Sequence, residues 1–595
     1  MNLEVRVIIL FLGGNTLSVR TLNWNKKQIR EHIKIIDGQK APSIVLKDAT
    51  YLNMALKKWV KANIWIAGDR IIYVGKDMPQ KPANETINCK NRYLVPGYIE
   101  PHAHPFFIYN PLTLAEFAAK HGTTTIVNDN LLMFLQLPLE KALSIVDEFN
   151  KIPSSIYWWA RYDSQTQLDD EDLIFTNGKV KEWLSHPSVL QGGELTGWPK
   201  VLSGNNEILY WMQETKKLGK KIEGHFPGAS LKTLTKMAVL GVDADHEAMT
   251  GEEVVNRLSV GMTTSLRYSS IRPDLPKLLK EMRDLGVKNF ERIILNTDGS
   301  SPAFYEQGMQ DRMIEIALEQ GVPVEDAYAM TSYNIARHYG LDDLLGMIAP
   351  GRIAHINVLE NKDHPRPISV MAKGEWVLKN GTDTYPDVSI PWETYGTKPL
   401  LLDFDITEED LMFSLPVGIE LINSVVTKPY NINIDVAVSE LSTSHDESFL
   451  AMIDRNGKWR VTTLLKGFAN KVLGFASSFT HSGDIVLIGK NRKDMIEAFR
   501  QVKKMGGGIS LVENGEVICN ISLPIRGTMS REPMEELIEI QKDLEEKLKK
   551  RGYRHDDPIY SLLFFSSTHL PFIRVTQQGI FDVKNKTVLF PAIMR

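Results

Sequence analysis

Residues 95–104, Val-Pro-Gly-Tyr-Ile-Glu-Pro-His-Ala-His, end an apolar run in two histidines one residue apart. Side chains at i and i+2 of an extended segment share a face, so His102 and His104 can point at one ion. Neutral imidazole suits zinc, iron or manganese. Two surface histidines would give the same pattern, and the pair alone decides nothing. Four more residues stand at the ends of strand-like runs: Glu194 in GGELTGW, His225 in IEGHFPG, His246 in DADHEAM and Asp298 in ILNTDGS. They follow one another at 31, 21 and 52 residues. Ligands of this kind would let water become hydroxide near neutral pH, because a bound cation lowers its pKa toward about 7. A carboxylate such as Asp298 can then carry the proton to a leaving group.

Between Pro96 and about Leu345, strand-like and helix-like runs alternate; TTTIVND, SIYWWAR, VLQGGEL, KKIEGHF, DADHE, MTTSLR and RIILNTD are the strand ends. Repeated βα units over about 250 residues predict an α/β fold with a (β/α)₈ barrel, whose strand C-termini surround the active site. On that count His225, His246 and Asp298 follow the fifth, sixth and eighth strands, and Glu194 the one before them. Glu247, beside His246, is a candidate proton donor to a ring nitrogen and equally a candidate acid at a helix N-terminus. Trp158, Trp159, Arg161 and Asp163 at the third strand could stack on and hydrogen-bond a flat heterocycle, and Arg267 with Tyr268 at the seventh could do the same. Each of these also reads as ordinary packing or a surface ion pair.

Residues 41–95 and 346–383 are expected to join as a small β-sandwich made of segments flanking the barrel at 96–345. The early strands SIVLKDA, VKANIWI, RIIYV and TIN predict an antiparallel sheet. Residues 1–40 form an N-terminal extension, in which Thr21–Lys34 predicts a short amphipathic helix outside the main fold. A Pro-rich linker at 384–400 precedes a C-terminal α/β domain at 401–595. Its predicted strands are NINIDVAV, KWRVTTLL, DIVLIG and GISLVENGEVICNI. Its predicted helices are KDMIEAFRQVKKM and a solvated, charge-rich helix over 531–551.

A length of 595 residues far exceeds a single core of about 250. Sixty-nine basic against 73 acidic side chains give a formal charge of −4, which offers no footprint for nucleic acid or an anionic membrane and leaves small-molecule chemistry. Cys89 and Cys519 alone cannot make a disulfide framework or a CxxC cluster, so a reducing, cytoplasmic setting is expected. The run Val7–Leu12 is far short of the roughly 20 residues that span a bilayer. The HxE and PCxxC pattern of cytidine-type deaminases is missing, as are GxGxxG and P-loop motifs.

PGYIEPHAH, HGTTT, GHFPG, DHE, the TDG loop and IAPGRIAHI resemble the adenine deaminases of the amidohydrolase superfamily over nearly the whole chain. MGGGISLVENGEVICNISLPIRGTMS resembles that family's additional C-terminal domain. The resemblance implies that His102 and His104 hold one metal and that His225 and His246 hold a second. Glu194 bridges in the position many relatives fill with a carboxylated lysine, and Asp298 is ligand and general base. It implies hydrolysis of adenine to hypoxanthine and ammonia in a homo-oligomer, with one or two divalent cations per chain, manganese before iron or zinc. Four departures flank these ligands. Pro105-Phe-Phe-Ile-Tyr replaces a Glu-Ser-Ser continuation, and Asn128-Asp129-Asn130 replaces Asp-Pro-His-Glu. Gly299 follows Asp298 where relatives have Thr-Asp-Asp, and Thr480-His481-Ser482-Gly483 replaces His-Asp-Ser-His. An amidohydrolase acting on another amino-heterocycle, a cyclic amide or an N-acetyl group is the alternative. A catalytically silent barrel kept for binding is the alternative of another class, against which six retained ligands speak.

Overall fold

The computed structural model describes residues 25–168 and 170–595. Val7–Leu12 and the start of the Thr21–Lys34 pattern lie outside the described residues. Helix α1 (Lys26–Ile36) is capped by Asn25, whose side chain accepts from the amides of Lys27 and Gln28 while Gln28 reaches back to the Asn25 amide. It is not a free appendage, for Ile35 packs with Val45, Trp65, Ala67 and Ile72 on the first sheet. Ile35 is the one residue of the helix that is buried, and it anchors the helix to the sheet.

Among the described residues the strands form four sheets. The first contains β1 (Ile44–Asn53), β2 (Lys58–Ala67), β3 (Arg70–Gly75), β4 (Glu85–Asn88) and β5 (Tyr93–Pro96). It is mixed, not antiparallel throughout: β1 pairs antiparallel with β2 but parallel with β4 and β5. Pro96-Gly97 then turns the chain into the second sheet.

That sheet is β6 (Tyr98–Ala103), β7 (Thr123–Asn128), β8 (Ser155–Ala160), β9 (Val189–Leu195), β10 (Lys221–Gly224), β11 (Ala244–Asp245), β12 (Thr263–Arg267) and β13 (Ile293–Asn296). The strands are parallel and run in sequence order, each followed by helix. The first and last lie side by side, and the Thr297 amide donates to Glu100 Oε2 across them at 3.2 Å. The fold is a (β/α)₈ barrel. Every residue of β6, β7, β9, β12 and β13 is buried, as expected of parallel strands covered on both faces.

After the barrel, β14 (Ile356–Leu359), β15 (Ser369–Ala372), β16 (Glu375–Lys379) and β17 (Thr382–Asp383) return to the first sheet, where Ile356 opposes Pro96 and Leu359 opposes Tyr93. One continuous nine-stranded sheet results. A second nine-stranded sheet, built from residues 417–594, packs helix α2 (Arg492–Met505). NINIDVAV is not a strand beyond Asn431; the Ile432 amide donates to the Pro416 carbonyl (2.8 Å), and Ile432, Ile434 and Val436 cover the core as an arm. Strands 447–453 and 474–477 belong to this sheet, and a small three-stranded sheet spans 573–591. Helix α3 (Met534–Lys550) buries Leu537, Ile538, Leu544 and Leu548. Its Gln541 donates to Ser301 Oγ (3.0 Å) and accepts from the Ala303 amide (3.1 Å), so this charged helix clamps the loop after β13. Among the described residues no helix is long and apolar enough to cross a membrane.

Candidate active site

The six residues read from strand ends meet at the C-terminal mouth of the barrel. His102 lies in β6 and Glu194 in β9; His104, His225, His246 and Asp298 follow β6, β10, β11 and β13. Three groups bring ligand atoms within 4.8 Å of one another: His102–Glu194–His246, His102–His104–Asp298 and His225–His246–Glu247. Asp298 Oδ1 is 3.1 Å from His102 Nε2 and 3.2 Å from His104 Nε2. Glu194 stands between the halves, with Oε1 at 2.5 Å from His225 Nδ1 and 3.5 Å from His246 Nε2, and Oε2 at 4.0 Å from His104 Nε2.

These residues fit a divalent cation. His102 is 2 % exposed; Asp298 Oδ1 faces its Nε2, and its Nδ1 has no hydrogen-bond partner. A buried imidazole left so is costly unless something takes its lone pair. Burial also drives its pKa down to about 3, so the ring is a neutral donor. Imidazole nitrogens with carboxylate oxygens suit zinc, iron or manganese, and the donor set does not choose among them.

Residues not singled out from the sequence hold these side chains in place. Glu100 Oε1 accepts from the His102 amide (2.9 Å), and its Oε2 accepts from the Thr297 amide and from Gln310 (3.1 Å). It thereby ties the strand of His102 to the loop of Asp298. Glu223 Oε1 lies 3.1 Å from His246 Nδ1, which turns Nε2 toward the cluster. Asp129 Oδ2 meets His104 Nδ1 at 2.9 Å. Against the desolvation of burial, the hydrogen bonds to Asp129 and Asp298 raise His104 to about 9. A carboxylate two or more residues from a ligand leaves no periodic signal, though the IEGH run placed Glu223 beside His225.

Trp159, Arg161 and Asp163 do not line the cavity, and their expected contact with a heterocycle is corrected. Trp159 is fully buried with its ring 4.3 Å from that of His102. Arg161 holds Asp129 through Nε (2.8 Å) and Nη2 (2.6 Å) and reaches Glu194 Oε2 at 3.0 Å. Asp163 accepts from Thr196 Oγ1 and the Gly197 amide. Trp158 packs between Phe106 and Phe149. Tyr268 turns away to Gln307. Arg267 does line the cavity, bridging Glu247 Oε1 (2.7 Å) and Asp298 Oδ2.

Glu247 is not a helix N-terminal acid, since the next helix begins at Gly251 with Thr250 as its cap. Nor does it offer a proton. Although burial opposes its charge, Arg267, His225 and Arg272 hold it near 2, and at neutral pH it faces the cavity as an acceptor. Arg267 likewise holds Asp298 well below the usual carboxylate range against the desolvation of its site.

Gly299 explains one departure from the resembled family. It has φ +65°, and a Cβ there would lie 2.4 Å from His104 Cβ and 2.9 Å from its amide nitrogen. The Asp298 loop therefore approaches β6 closer than any side chain allows, and Tyr560 Oη donates to the carbonyls of Asp298 (3.1 Å) and Gly299 (2.9 Å) from above. Gly299→Ala is expected to add about 1–3 kcal/mol of strain and to displace His104. Metal analysis after dialysis should show reduced occupancy; full occupancy and turnover would mean the close approach is dispensable.

The cavity over the cluster measures about 480 Å³. The barrel supplies its floor and one apolar wall of Phe106, Leu131, Leu132 and Leu135, and the C-terminal part supplies His481, Tyr560, Phe564 and His569.

The amidohydrolase family model matches residues 93–377, and that of the adenine deaminase C-terminal domain matches 424–587. A protein of Halalkalibacterium halodurans is 58 % identical over 574 residues, covering 96 % of this chain and 99 % of its own. One of Bacillus subtilis is 51 % identical over 580 residues, 97 % of this chain and 100 % of its own. Both bear the name "Putative adenine deaminase". "Adenine deaminase 2" of Carboxydothermus hydrogenoformans is 28 % identical over 578 residues, 95 % and 99 % of the two chains.

Proposed function

Because the chain belongs to the adenine deaminase family of amidohydrolases and is a hydrolase acting on C–N bonds, we propose that it hydrolyses adenine to hypoxanthine and ammonia. The observation that carries this reading is the cluster of His102, His104, Glu194, His225, His246 and Asp298 under a cavity, with His102 buried among carboxylates. His102, His104 and Asp298 hold one divalent ion, His225 and His246 a second, with Glu194 between. Manganese is the ion we assign. When bound, such an ion lowers the pKa of water toward about 7 and makes hydroxide available at neutral pH.

The chain's own residues supply the rest. Arg267 keeps Asp298 ionised and occupies Oδ2, leaving Oδ1 on the side of His102 and His104. Held so low, Asp298 is too weak a base to make hydroxide unaided. It takes the proton of the attacking water and passes it to the amine as the C–N bond breaks, so that water and adenine leave as hypoxanthine and ammonia. Glu247, kept charged by Arg267 and Arg272 (2.5 Å), is an acceptor for an N–H of the amine. The small substrate, a homo-oligomeric state and a cytoplasmic location complete the proposal.

Protein purified with manganese should release ammonia and hypoxanthine from adenine. Stripping it with a chelator should abolish turnover and lower the melting temperature by several degrees, since a ligand of the native state alone at about 100 times its Kd contributes about 2.7 kcal/mol. Metal-loaded protein inert toward adenine would overturn the substrate. The cavity's size and its apolar wall favour a second reading, an amino-heterocycle carrying an apolar substituent.

A further inference from the structure

Two histidines of the C-terminal part, His481 and His569, line the cavity outside the metal cluster. Their rings lie 6.2 Å apart, and that of His569 is 5.7 Å from His225. Each is anchored to the same barrel loop. His481 Nε2 lies 3.1 Å from the carbonyl of Ser164, and His569 Nδ1 lies 3.4 Å from that of Gln165. A carbonyl only accepts, so both of these nitrogens carry hydrogen. The other nitrogen of each ring, Nδ1 of His481 and Nε2 of His569, is then a bare lone pair. His481 Nδ1 is buried with no partner, which in a native site calls for a ligand atom. Burial pushes His481 down to about 4, so its ring stays neutral.

The anchoring loop is itself built to hold them. Gln165 has φ +59°, and its carbonyl also accepts from the Thr568 amide at 3.0 Å. Thr166 Oγ1 donates to the Ser566 carbonyl at 2.6 Å, and Gln165 Nε2 reaches Glu194 Oε2 at 3.4 Å. Both imidazoles are thus registered to the carboxylate that stands between the two ligand groups.

We propose that His481 and His569 are specificity-determining residues, whose Nδ1 and Nε2 accept two N–H hydrogen bonds from the substrate and select a heterocycle bearing an amine and a ring N–H. The proposal rests on reading the site as an amino-heterocycle hydrolase.

The test uses the full-length manganese-loaded protein with adenine, guanine and cytosine as probes. His481→Phe and His569→Phe should each lower kcat/KM by about tenfold, through KM more than kcat, at unchanged metal content. His481→Asn places an oxygen where Nδ1 was, and His569→Gln one where Nε2 was; both should recover most of the loss. Should a phenylalanine variant melt below the parent, His481→Gln and His569→Asn decide. They keep a polar side chain with the acceptor displaced, and must show the same rise in KM. Parent-like KM in the phenylalanine or displaced-amide variants overturns the proposal. If adenine is inert but another probe turns over, the adenine reading falls and the histidines are judged on that probe. No turnover of any probe overturns both.

Discussion

Asp298→Asn is expected to lower ammonia release from adenine by about 10³-fold or more, the upper range for a lost proton-transfer group. The amide matches the carboxylate in shape but cannot carry a proton between water and the leaving amine. Its effect is separable from loss of structure, because Asp298 sits in a loop held by the Tyr560 hydroxyl through backbone carbonyls and by Gly299 against His104. Those contacts do not depend on the side chain. The variant should therefore keep its fold, melting below the parent by no more than metal-stripped protein does, while its kcat collapses, and metal analysis will show whether the His225–His246 half still loads. A kcat within tenfold of the parent would remove Asp298 from the chemistry.

Arg161→Met is expected to destabilise the protein by about 3–5 kcal/mol, the cost of leaving a buried charge without its partner. Arg161 is wholly buried and bonds Asp129 through two nitrogens while reaching Glu194. Methionine fills much of the volume, so the deficit is electrostatic rather than a cavity. The sign with pH follows from Asp129. Burial opposes its charge, but Arg161 and His104 depress its folded pKa below the ordinary carboxylate value. The pair's stabilisation is therefore present above that ordinary value and is lost as pH falls toward the folded pKa. Denaturant unfolding should show the largest gap between parent and variant at neutral pH, narrowing in acid. A variant as stable as the parent at pH 7 would show that Asp129 and Glu194 do not need the guanidinium.

What was legible in the sequence is what repeats locally. A period of two put His102 and His104 on one side of a strand, and the βα rhythm put His225, His246 and Asp298 at strand ends, where a barrel gathers them. The same rhythm misled at the third strand. Trp159 and Arg161 also stand at a strand end, but the ring packs under His102 and the guanidinium turns onto Asp129, a carboxylate 32 residues earlier. NINIDVAV alternates like a strand and is not one beyond Asn431, because alternation records which side is covered and not whether a neighbour is there to pair. Helix α3 looked solvated because its charges are many; its buried Gln541 contacts the barrel 240 residues away.

By itself the sequence determined the barrel, the six candidate ligands and the family, since each depends on spacing within a few units or on motifs carried intact. Only the tertiary structure decided what orients and encloses them. Glu100 joins the first strand to a loop 197 residues on, and Thr166 binds a carbonyl 400 residues on. Hydrogen bonds across such separations leave no periodic trace, because they are chosen by where the closed barrel and the C-terminal sheet happen to bring two chain segments together.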